Sequence, residues 1–570
     1  MNYKSIMKKA RGEQKASLVL KNGRIINVYS GEIEELDIAI EDGKIIGIGT
    51  YNGIKEIDLK KMYVAPGLID GHVHIESSML TPPQFAKIVL PKGTTTIIAD
   101  PHEIANVSGV PGIEFMLKSS EHIPLSVYMM IPSCVPATID ENAGAMITAH
   151  DIKKLKKHPR VLGLGEVMDY PSVIQGNTMI FEKIKVMNHH MIDGHAPDVI
   201  GNDLNAYITA GVMTDHECTM VISMQERIKR GMYVHLREGS ATRNTKTLLK
   251  GLNKNNIHRV LFCTDDKHPE DIKNEGHINY NVNLAIEHGI DPIDAIRMAT
   301  INAANCYHLP NIGGIAPGKD ADLIIFDSLK KIEPLFVYKK GVLVASHGKA
   351  LFEASTEVPD AVLNTVHLDL DQLSFSLQLK SNQVKVIGLI QNNITTHLLN
   401  RTVNVTNNQF VYDKHADILK LAVIERHHNK KLIGIGLVEG FGFKNGALAM
   451  TIAHDSHNLI IVGSSDDDMR LAAEKINEIQ GGIVLVRNGK VVHFLKLEVG
   501  GIMTNAESIV VSESLKYMKK EIKDMGLDQD IDDPFISLAF LALPVIPTLK
   551  LTDRGLFDVN QFKIVLIENQ

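Results

Sequence analysis

The sequence contains no tryptophan and only four cysteines among its 570 residues, and it lacks any long apolar run. No stretch reaches about 18 consecutive apolar residues, and the N-terminal segment has no apolar core between its charges, so neither a membrane span nor a signal peptide is predicted. The cysteines include no C-x-x-C pair, which argues against a disulfide scaffold and a structural zinc site; they are Cys134, Cys218, Cys263 and Cys306. We therefore expect a cytoplasmic protein without a membrane partner.

A strong excess of one charge is also missing. The 60 lysines and arginines nearly balance the 67 aspartates and glutamates, and the net charge of −7 argues against a surface that binds nucleic acids. Histidine, by contrast, occurs 25 times. Because imidazole both carries protons at neutral pH and binds metal ions, the positions of the histidines are the first indication of function.

The chain divides into four segments by its pattern of strands and helices. Residues 1–66 contain short strands with hairpin signals at Asn22-Gly23 and Asp42-Gly43, and a similar β pattern returns in residues 311–360. We expect these two segments to pair as one small β-sandwich. Residues 67–310 alternate apolar runs with amphipathic stretches, and residues 361–570 have the pattern of a C-terminal α+β domain.

Residues 67–310 are predicted to form a TIM barrel, the (β/α)8 fold. Eight apolar, β-branched runs alternate with helical stretches over about 250 residues, which is the repeat and the length of this fold. The runs are residues 68–75, 94–99, 125–131, 160–166, 191–195, 211–216, 232–236 and 259–265. The predicted fold class is therefore α/β, a TIM barrel with a small β-sandwich and a C-terminal α+β domain.

Polar residues at the C-terminal ends of these runs are the candidate active-site residues, because TIM-barrel enzymes place their chemistry at that face. His72 and His74 end the first run, and side chains two residues apart in a strand share a face, so this pair is a candidate metal site. The Pro-Gly turn and apolar strand before the pair favour this interpretation. An ordinary, partly buried histidine pair is the alternative.

The later runs end in further residues of metal-ligand type. Glu166 ends an apolar strand, where a charge is costly unless a cation or hydrogen bonds compensate it, although an exposed rim position is the alternative. His195 and His216 end consecutive runs and are candidate ligands. Asp265 directly follows the eighth run and can approach both a cation and its water, which suits a general base; the neighbouring Asp266 fits a helix cap better.

Other polar groups near the run ends are candidates for supporting the ligands or contacting the substrate: Asp100, His102, Glu217, Arg237 and Glu238. For Asp100 and His102, metal ligation, support of the ligands and loop structure all stay open. For Arg237 and Glu238, an exposed helix start is the competing interpretation.

These motifs resemble the amidohydrolase superfamily. The resemblance includes PGLIDGHVH at the start of the predicted barrel and IAPGKDADLIIFD just after it. Within it, the chain is similar to the microbial adenine deaminase family. The likeness runs through nearly the whole chain, in DGHVHIESSML, GTTTIIADPHEIANVSG, GLGEVMDYPSVI, DGHAP, LREGSATRN, FCTDDKHPEDIKNEGHINYNV, IAHDSHNLIIVG and GGIMTN.

The resemblance implies hydrolysis of adenine to hypoxanthine and ammonia, a purine-salvage reaction, by a metal-bound hydroxide at a site with two divalent ions. Mn²⁺ is the expected ion and Fe²⁺ or Zn²⁺ are alternatives, since mixed imidazole and carboxylate ligands suit all three. Glu166 stands where many relatives have a carbamylated lysine, and Glu166 and Asp265 are the expected catalytic residues. His235, inside the seventh run, competes for a ligand role. The implied ligands are His72, His74, Glu166, His195, His216 and Asp265.

A second class of enzyme and a non-enzymatic binding protein are the alternative functions. A cyclic amide hydrolase of the hydantoinase or dihydroorotase type is the alternative enzyme, because the same hydroxide could attack a carbonyl. A barrel that has become a binding protein would lack ligands, and every expected ligand is present. The role of the last domain stays open, although its HDSHN motif, with His454, Asp455 and His457, is a candidate to reach the site. We also expect a small-molecule substrate and a homo-oligomer.

Overall fold

A computed structural model describes residues 3–138 and 140–569. The predicted hairpin at Asp42-Gly43 is present, with positive φ at both residues. The predicted hairpin at Asn22-Gly23 was wrong: one strand runs through this dipeptide as a bulge, with Asn22 at φ 56°. An Asn-Gly pair suits a bulge as well as a turn, because both need a left-handed residue. The elements of this first segment are α1 (Tyr3–Ala10), β1 (Ala16–Asn27), β2 (Glu32–Glu41), β3 (Lys44–Gly49), β4 (Gly53–Asp58) and β5 (Tyr63–Pro66).

Each of the eight predicted runs in the middle segment contains a strand, and paired neighbours are parallel. Most positions of these strands are buried, which explains why the runs are continuously apolar rather than alternating. The strands are β6 (Leu68–Val73), β7 (Thr94–Ala99), β8 (Ser126–Ile131), β9 (Val161–Val167), β10 (Met191–Gly194), β11 (Thr214–Asp215), β12 (Tyr233–Arg237) and β13 (Val260–Cys263).

Regular pairing groups the eight strands, which the sequence predicts to form one barrel, into two parallel sheets. Their orders are β10-β9-β8-β7-β6 and β11-β12-β13. Backbone hydrogen bonds join the sheets at both seams. At one seam the Met213 N–H donates to the Ile192 carbonyl (3.0 Å); at the other the Asp265 N–H donates to the His72 carbonyl (3.0 Å) and the His74 N–H donates to the Asp265 carbonyl (3.4 Å). Regular pairing is interrupted there: β11 has only two residues, and Asp265, with a left-handed φ of 58°, makes only an isolated bridge with Val73.

Helices connect these strands, as the amphipathic stretches between the runs predict. Two of them are α2 (Pro82–Val89) and α8 (Val221–Lys229). The longest helix of the middle segment is α3 (His102–Ser119). It is kinked at Gly109, whose φ is 61°, two residues before Pro111. Among residues 3–138 and 140–569, no helix combines the length and apolarity needed to cross a membrane. The helices are α2 (Pro82–Val89), α3 (His102–Ser119), α4 (Ala149–Leu155), α5 (Tyr170–Gln175), α6 (Thr178–Val186), α7 (Gly201–Thr209), α8 (Val221–Lys229), α9 (Thr245–Leu249), α10 (Pro269–Asn274), α11 (Ile278–Glu287), α12 (Pro292–Met298) and α13 (Ile301–Cys306).

The two segments that flank the middle one pair with each other through β14 (Leu323–Phe326) and β5, which are antiparallel. The hydrogen bonding is continuous, so the strands form one nine-stranded sheet rather than the two sheets of the predicted sandwich. Buried apolar residues from both flanking segments pack in one cluster. The bulge in β1 lets this strand pair first with β4 and then with β5. The remaining strands are β15 (Phe336–Lys339), β16 (Val342–Ser346) and β17 (Lys349–Ala350).

The last segment contains an eight-stranded sheet and further helices, and it packs on the end of the middle segment that carries the predicted site. The Thr81 N–H donates to the Thr504 carbonyl (3.1 Å), and the Thr504 N–H donates to the Met79 carbonyl (2.9 Å). The predicted divisions near residues 66, 310 and 360 remain predictions. The elements are β18 (Gln383–Leu389), β19 (Thr396–Thr402), β20 (Asn404–Thr406), β21 (Gln409–Val411), β22 (Ile418–Ile424), β23 (Ile433–Glu439), β24 (Ala447–Met450), β25 (Leu459–Gly463), α14 (Asp466–Ile479), β26 (Gly482–Arg487), β27 (Lys490–Lys496), α15 (Ser508–Asp524), α16 (Pro534–Ala539), β28 (Leu549–Thr552), β29 (Gly555–Asp558) and β30 (Lys563–Ile564).

Candidate active site

The side chains predicted as metal ligands lie together at the C-terminal ends of the parallel strands. His72 and His74 come from the end of β6, and their Nε2 atoms are 3.1 Å apart. The Nε2 atom of His74 is 3.2 Å from Glu166 Oε1 on β9 and 3.1 Å from Asp265 Oδ1, just past β13. The first three of these residues therefore meet because the strands end at one face, and Asp265 joins them from the other sheet.

Glu166 lies between two groups of imidazoles. Its Oε1 faces His74, whereas its Oε2 is 2.7 Å from His195 Nδ1 and 3.2 Å from His216 Nε2. These two histidines directly follow β10 and β11. Because the two carboxylate oxygens face different histidines, Glu166 is placed where one carboxylate can serve two neighbouring cations.

The donor atoms of this cluster fit divalent metal ions. Three overlapping groups have ligand atoms within 4.8 Å of one another: His72, His74 and Glu166; His72, His216 and Asp265; and Glu166, His195 and His216. The buried Nε2 atom of His216 makes no hydrogen bond within the described part of the chain. Nitrogen and carboxylate oxygen donors at this spacing suit Mn²⁺, Fe²⁺ or Zn²⁺.

Both carboxylates of the cluster are held in their ionised form. Burial opposes the ionisation of Asp265, but the charge of Arg237 and the hydrogen bonds of His72 and His74 keep its pKa well below the usual value. Burial also opposes ionisation of Glu166, and the surrounding histidines keep the pKa of this group low as well. The same contacts raise the pKa values of His74, His195 and His216, so a bound cation would take the place of protons on these rings.

Three buried aspartates precede histidines of the cluster in the chain and were missed by the sequence analysis: Asp70, Asp193 and Asp215. The Oδ1 atom of Asp70 accepts the His72 N–H (3.2 Å) and the Thr264 N–H (3.1 Å), so it ties β6 to the end of β13. The hydroxyls of Thr214 and Tyr307 donate to Asp193. A sequence signal existed, since each aspartate stands one or two residues before a histidine of the cluster.

The third aspartate forms a fully buried ion pair whose loss should destabilise the protein. Arg227 Nε donates to Asp215 Oδ2 at 2.7 Å, and neither side chain is exposed. We expect Arg227→Met to lower the free energy of unfolding by about 3–5 kcal/mol, because it leaves the Asp215 charge buried without a partner. Denaturant unfolding of the variant measures this. Arg230→Met is the matched control, since its pair with Glu226 is partly exposed and should contribute about 0–1 kcal/mol; equal losses would contradict the prediction.

Asp100 and His102 lie directly beside the cluster. Asp100 Oδ2 accepts the Glu166 N–H at 2.9 Å, and its carbonyl oxygen is 2.9 Å from His74 Nδ1. Asp100 thus orients two of the candidate ligands. His102 Nδ1 is 3.3 Å from Glu166 Oε1, so this ring is within reach of a cation held by Glu166.

Arg237 is buried and does not begin an exposed helix. It forms an ion pair with Glu217 and donates from Nη1 to Asp265 Oδ2 at 2.9 Å. Glu238 instead lies next to Thr245 and is not among the residues that line the cavity. His235 is also buried, and neither ring nitrogen has a hydrogen bond among the described residues. Burial, together with neighbouring histidines, holds the pKa of His235 well below its usual value.

A narrow cavity opens onto the cluster. One side carries polar residues of the middle segment, among them Glu217, Arg237 and Asp266. Asp266 accepts a hydrogen bond from the Ser77 hydroxyl and is not the cap of α10, which is His268. The other side comes from the last segment and is mainly apolar, which the sequence analysis missed apart from the HDSHN motif; it consists of Ile394, His454, Asp455, Phe540, Leu543, Val545 and Ile546.

Two family models match the chain. The model described as Amidohydrolase family matches residues 63–350, which carry the whole polar cluster. The model described as Adenine deaminase C-terminal domain matches residues 393–563, which carry the apolar side of the cavity.

The chain is also similar to curated proteins along nearly its whole length. It is 46% identical over 563 residues to adenine deaminase 2 of Carboxydothermus hydrogenoformans, a match that covers 99% of both chains. It is 47% identical over 564 residues to the adenine deaminase of Clostridium acetobutylicum, covering 98% of this chain and 99% of that protein. With the adenine deaminase of Geobacillus kaustophilus it shares 46% identity over 566 residues, or 98% of each chain.

Proposed function

Because this chain belongs to the adenine deaminase family of the amidohydrolases, we propose that it hydrolyses adenine to hypoxanthine and ammonia. The observation that carries the proposal is the similarity to adenine deaminases over nearly the full length, which includes both sides of the cavity. The polar cluster supports a hydrolytic reaction, since it combines candidate metal ligands with an ionised carboxylate. The reaction would serve purine salvage.

The architecture proposed for this site is one (β/α)8 barrel. The two parallel sheets supply eight strands in chain order, and backbone hydrogen bonds join them at both seams. In a barrel, the C-terminal ends of all strands face one opening, where such enzymes carry their active sites. The positions of Glu166 on one sheet and Asp265 beside the other agree with that arrangement.

The residues that would hold two divalent ions, with Mn²⁺ preferred and Fe²⁺ or Zn²⁺ as alternatives, are His72, His74, Glu166, His195, His216 and Asp265. When bound, such ions lower the pKa of a water molecule and so supply hydroxide at neutral pH. Glu166 would contact both ions, because its two oxygens face different histidines. Asp100 keeps His74 and Glu166 in place through its hydrogen bonds.

The chain's own groups can then move the protons of the reaction. One water is consumed: a C–O bond forms at the ring carbon that carries the amino group, the bond from that carbon to the amino nitrogen breaks, and ammonia leaves. Asp265 is ionised and faces the ligand cluster through Oδ1, so it can accept a proton from the water and pass it to the leaving nitrogen. Arg237 holds the other oxygen of this carboxylate and keeps it oriented.

The cellular setting of this function is also proposed. We place the protein in the cytoplasm as a homo-oligomer that acts on a small-molecule substrate. Its four cysteines are all buried free thiols, which agrees with a reducing compartment. Size-exclusion chromatography with light scattering would measure the oligomeric state.

The proposed function predicts ammonia release from adenine by enzyme loaded with Mn²⁺. A panel of adenine, adenosine, guanine and cytosine tests the substrate, with ammonia as the readout, and ring opening of hydantoin is followed by absorbance. We expect adenine to be the preferred substrate. Hydantoin opening without deamination of adenine would contradict the proposal and support a cyclic amide hydrolase.

A further inference from the structure

We propose that the C-terminal segment completes the substrate pocket: His454, held by Glu103, contacts an edge nitrogen of the purine, and Phe540 packs against the purine ring. This inference rests on the proposed function, which names a purine as the ligand. It assigns substrate recognition to residues outside the barrel, whereas the chemistry lies within it.

His454 is held from the barrel side by one carboxylate. Glu103, in the first turn of α3, is 2% exposed, and its Oε1 lies 2.8 Å from His454 Nδ1. A hydrogen bond between an imidazole and a buried carboxylate is stronger than a neutral one. The contact therefore fixes the orientation of the ring and links the two sides of the cavity.

The second ring nitrogen of His454 is left for a ligand. Within the described residues, Nε2 of His454 makes no hydrogen bond, and this side chain lines the same cavity as Glu166 and Asp265. Burial opposes protonation of the ring, but the charge of Glu103 outweighs it and raises the pKa of His454 to about 9. The Nε2 atom then carries a proton, which suits the acceptor nitrogens at the edge of a purine.

A cation bound by Glu103, His454 and His457 is the competing explanation, because their ligand atoms also lie close together. The hydrogen bonding of His457 argues against it. Its Nδ1 accepts the Ala453 N–H at 3.2 Å, so the proton of the neutral ring is on Nε2, which faces Glu103. A protonated Nε2 has no lone pair for a metal. The group is therefore better suited to hold His454 than to bind an ion.

Phe540 provides a flat apolar surface next to this nitrogen. Its ring stacks on His454, with centroids 4.4 Å apart and an interplanar angle of 29°. Beside it the cavity is lined by Ile394, Leu543 and Ile546. An apolar wall with a few polar groups is the usual composition of a small-molecule pocket, and an aromatic ring packs well on another flat ring.

This wall is held in place by hydrogen bonds that do not involve a ligand. The His454 N–H donates to the Ala539 carbonyl at 3.2 Å. The buried amino group of Lys550 donates to the carbonyls of Ile394 (2.7 Å) and Phe540 (2.9 Å). The pocket wall is thus ordered before substrate arrives, which lowers the entropic cost of binding.

The test compares His454→Gln and Phe540→Leu with matched controls in the Mn²⁺-loaded enzyme. The controls are His415→Gln and Phe562→Leu, whose side chains are exposed in the same segment. For each protein, KM and kcat for adenine, the Kd of the product hypoxanthine by calorimetry, metal content and the thermal unfolding midpoint are measured. We expect His454→Gln to raise the hypoxanthine Kd by about 10- to 100-fold, and Phe540→Leu by about 2- to 10-fold. Metal content should not change.

The role of Glu103 is tested by a double variant. If Glu103 acts by holding His454, then Glu103→Gln combined with His454→Gln should weaken hypoxanthine binding no more than His454→Gln alone. Additive losses would overturn the positioning role of Glu103.

Different results would contradict the proposed deamination of adenine and the role of the C-terminal segment in binding the purine. Wild-type enzyme that neither deaminates adenine nor binds hypoxanthine would overturn both. Wild-type enzyme that does both, with hypoxanthine binding within 2-fold of the controls in the two variants, would overturn only the inference. Loss of metal in His454→Gln would also overturn it, since His454 would then support the metal cluster. If His454→Gln lowers the unfolding midpoint, Phe540→Leu decides the case, because leucine keeps an apolar side chain at that position.

Discussion

Removal of divalent ions by a chelator is expected to abolish the release of ammonia from adenine, and about two equivalents per chain should be needed to restore it. The physical reason is that Glu166 presents its two oxygens to different histidines, so the proposed ligands form two groups that would each hold one ion. Stepwise addition of Mn²⁺ to the metal-free protein, followed by activity and by the thermal unfolding midpoint, measures the stoichiometry. Full restoration by one equivalent would contradict it.

The Glu166→Gln variant also tests whether two divalent ions are bound at this cluster. The substitution keeps the shape of the side chain and removes the negative charge that would compensate two cations. We expect the metal content of the purified variant to fall together with its activity. A variant with normal metal content and a normal rate would show that Glu166 is not a ligand.

The second large effect is expected for Asp265→Asn, which should lower kcat for adenine by at least about 10²–10⁴-fold, the usual contribution of a general acid–base group. Its effect on KM should be much smaller. Asparagine can still coordinate a cation through its carbonyl oxygen, but it cannot accept a proton. The position of Asp265 supports this role, because one oxygen faces His72 and His74 while Arg237 holds the other.

Metal content and steady-state kinetics of Asp265→Asn have to be measured on the same sample. Retained metal with a strongly reduced kcat is the expected result. A rate within a few-fold of the parent, with metal retained, would exclude Asp265 as the proton carrier. His216 and Glu217, whose Nε2 and Oε1 atoms are 3.5 Å apart, would then be the next candidates.

The residues of the polar cluster could be predicted from the sequence because their positions follow from local patterns. Side chains two residues apart in a strand share a face, which placed His72 beside His74, and parallel strands of one barrel end at one face, which added Glu166 and Asp265. The same pattern was ambiguous for Arg237. Only its burial against Glu217 and Asp265 distinguishes an arginine inside the candidate site from one at an exposed helix start.

Two local signals led to expectations that the structure changed. The Asn22-Gly23 pair predicted a hairpin, yet β1 continues through it, because β2, β4 and β5 offer partners on both edges of the strand. The eight strands predicted one barrel, yet regular pairing is interrupted at two seams, where short contacts such as the bridge between Val73 and Asp265 connect the sheets. In the first case long-range pairing decided between a turn and a bulge, both of which the local sequence allows.

By itself, the sequence determined the eight strands of the middle segment and the histidines and carboxylates at their ends, because alternation and strand-end position follow from short stretches of chain. Only the tertiary structure decided that Phe540, Ile394 and His454 face these residues, hundreds of positions away in the chain. Apolar residues in a pocket wall have the same pattern as apolar residues in a core, since both are selected for removal from water. Which of them face a cavity depends on how the C-terminal segment packs over the strand ends.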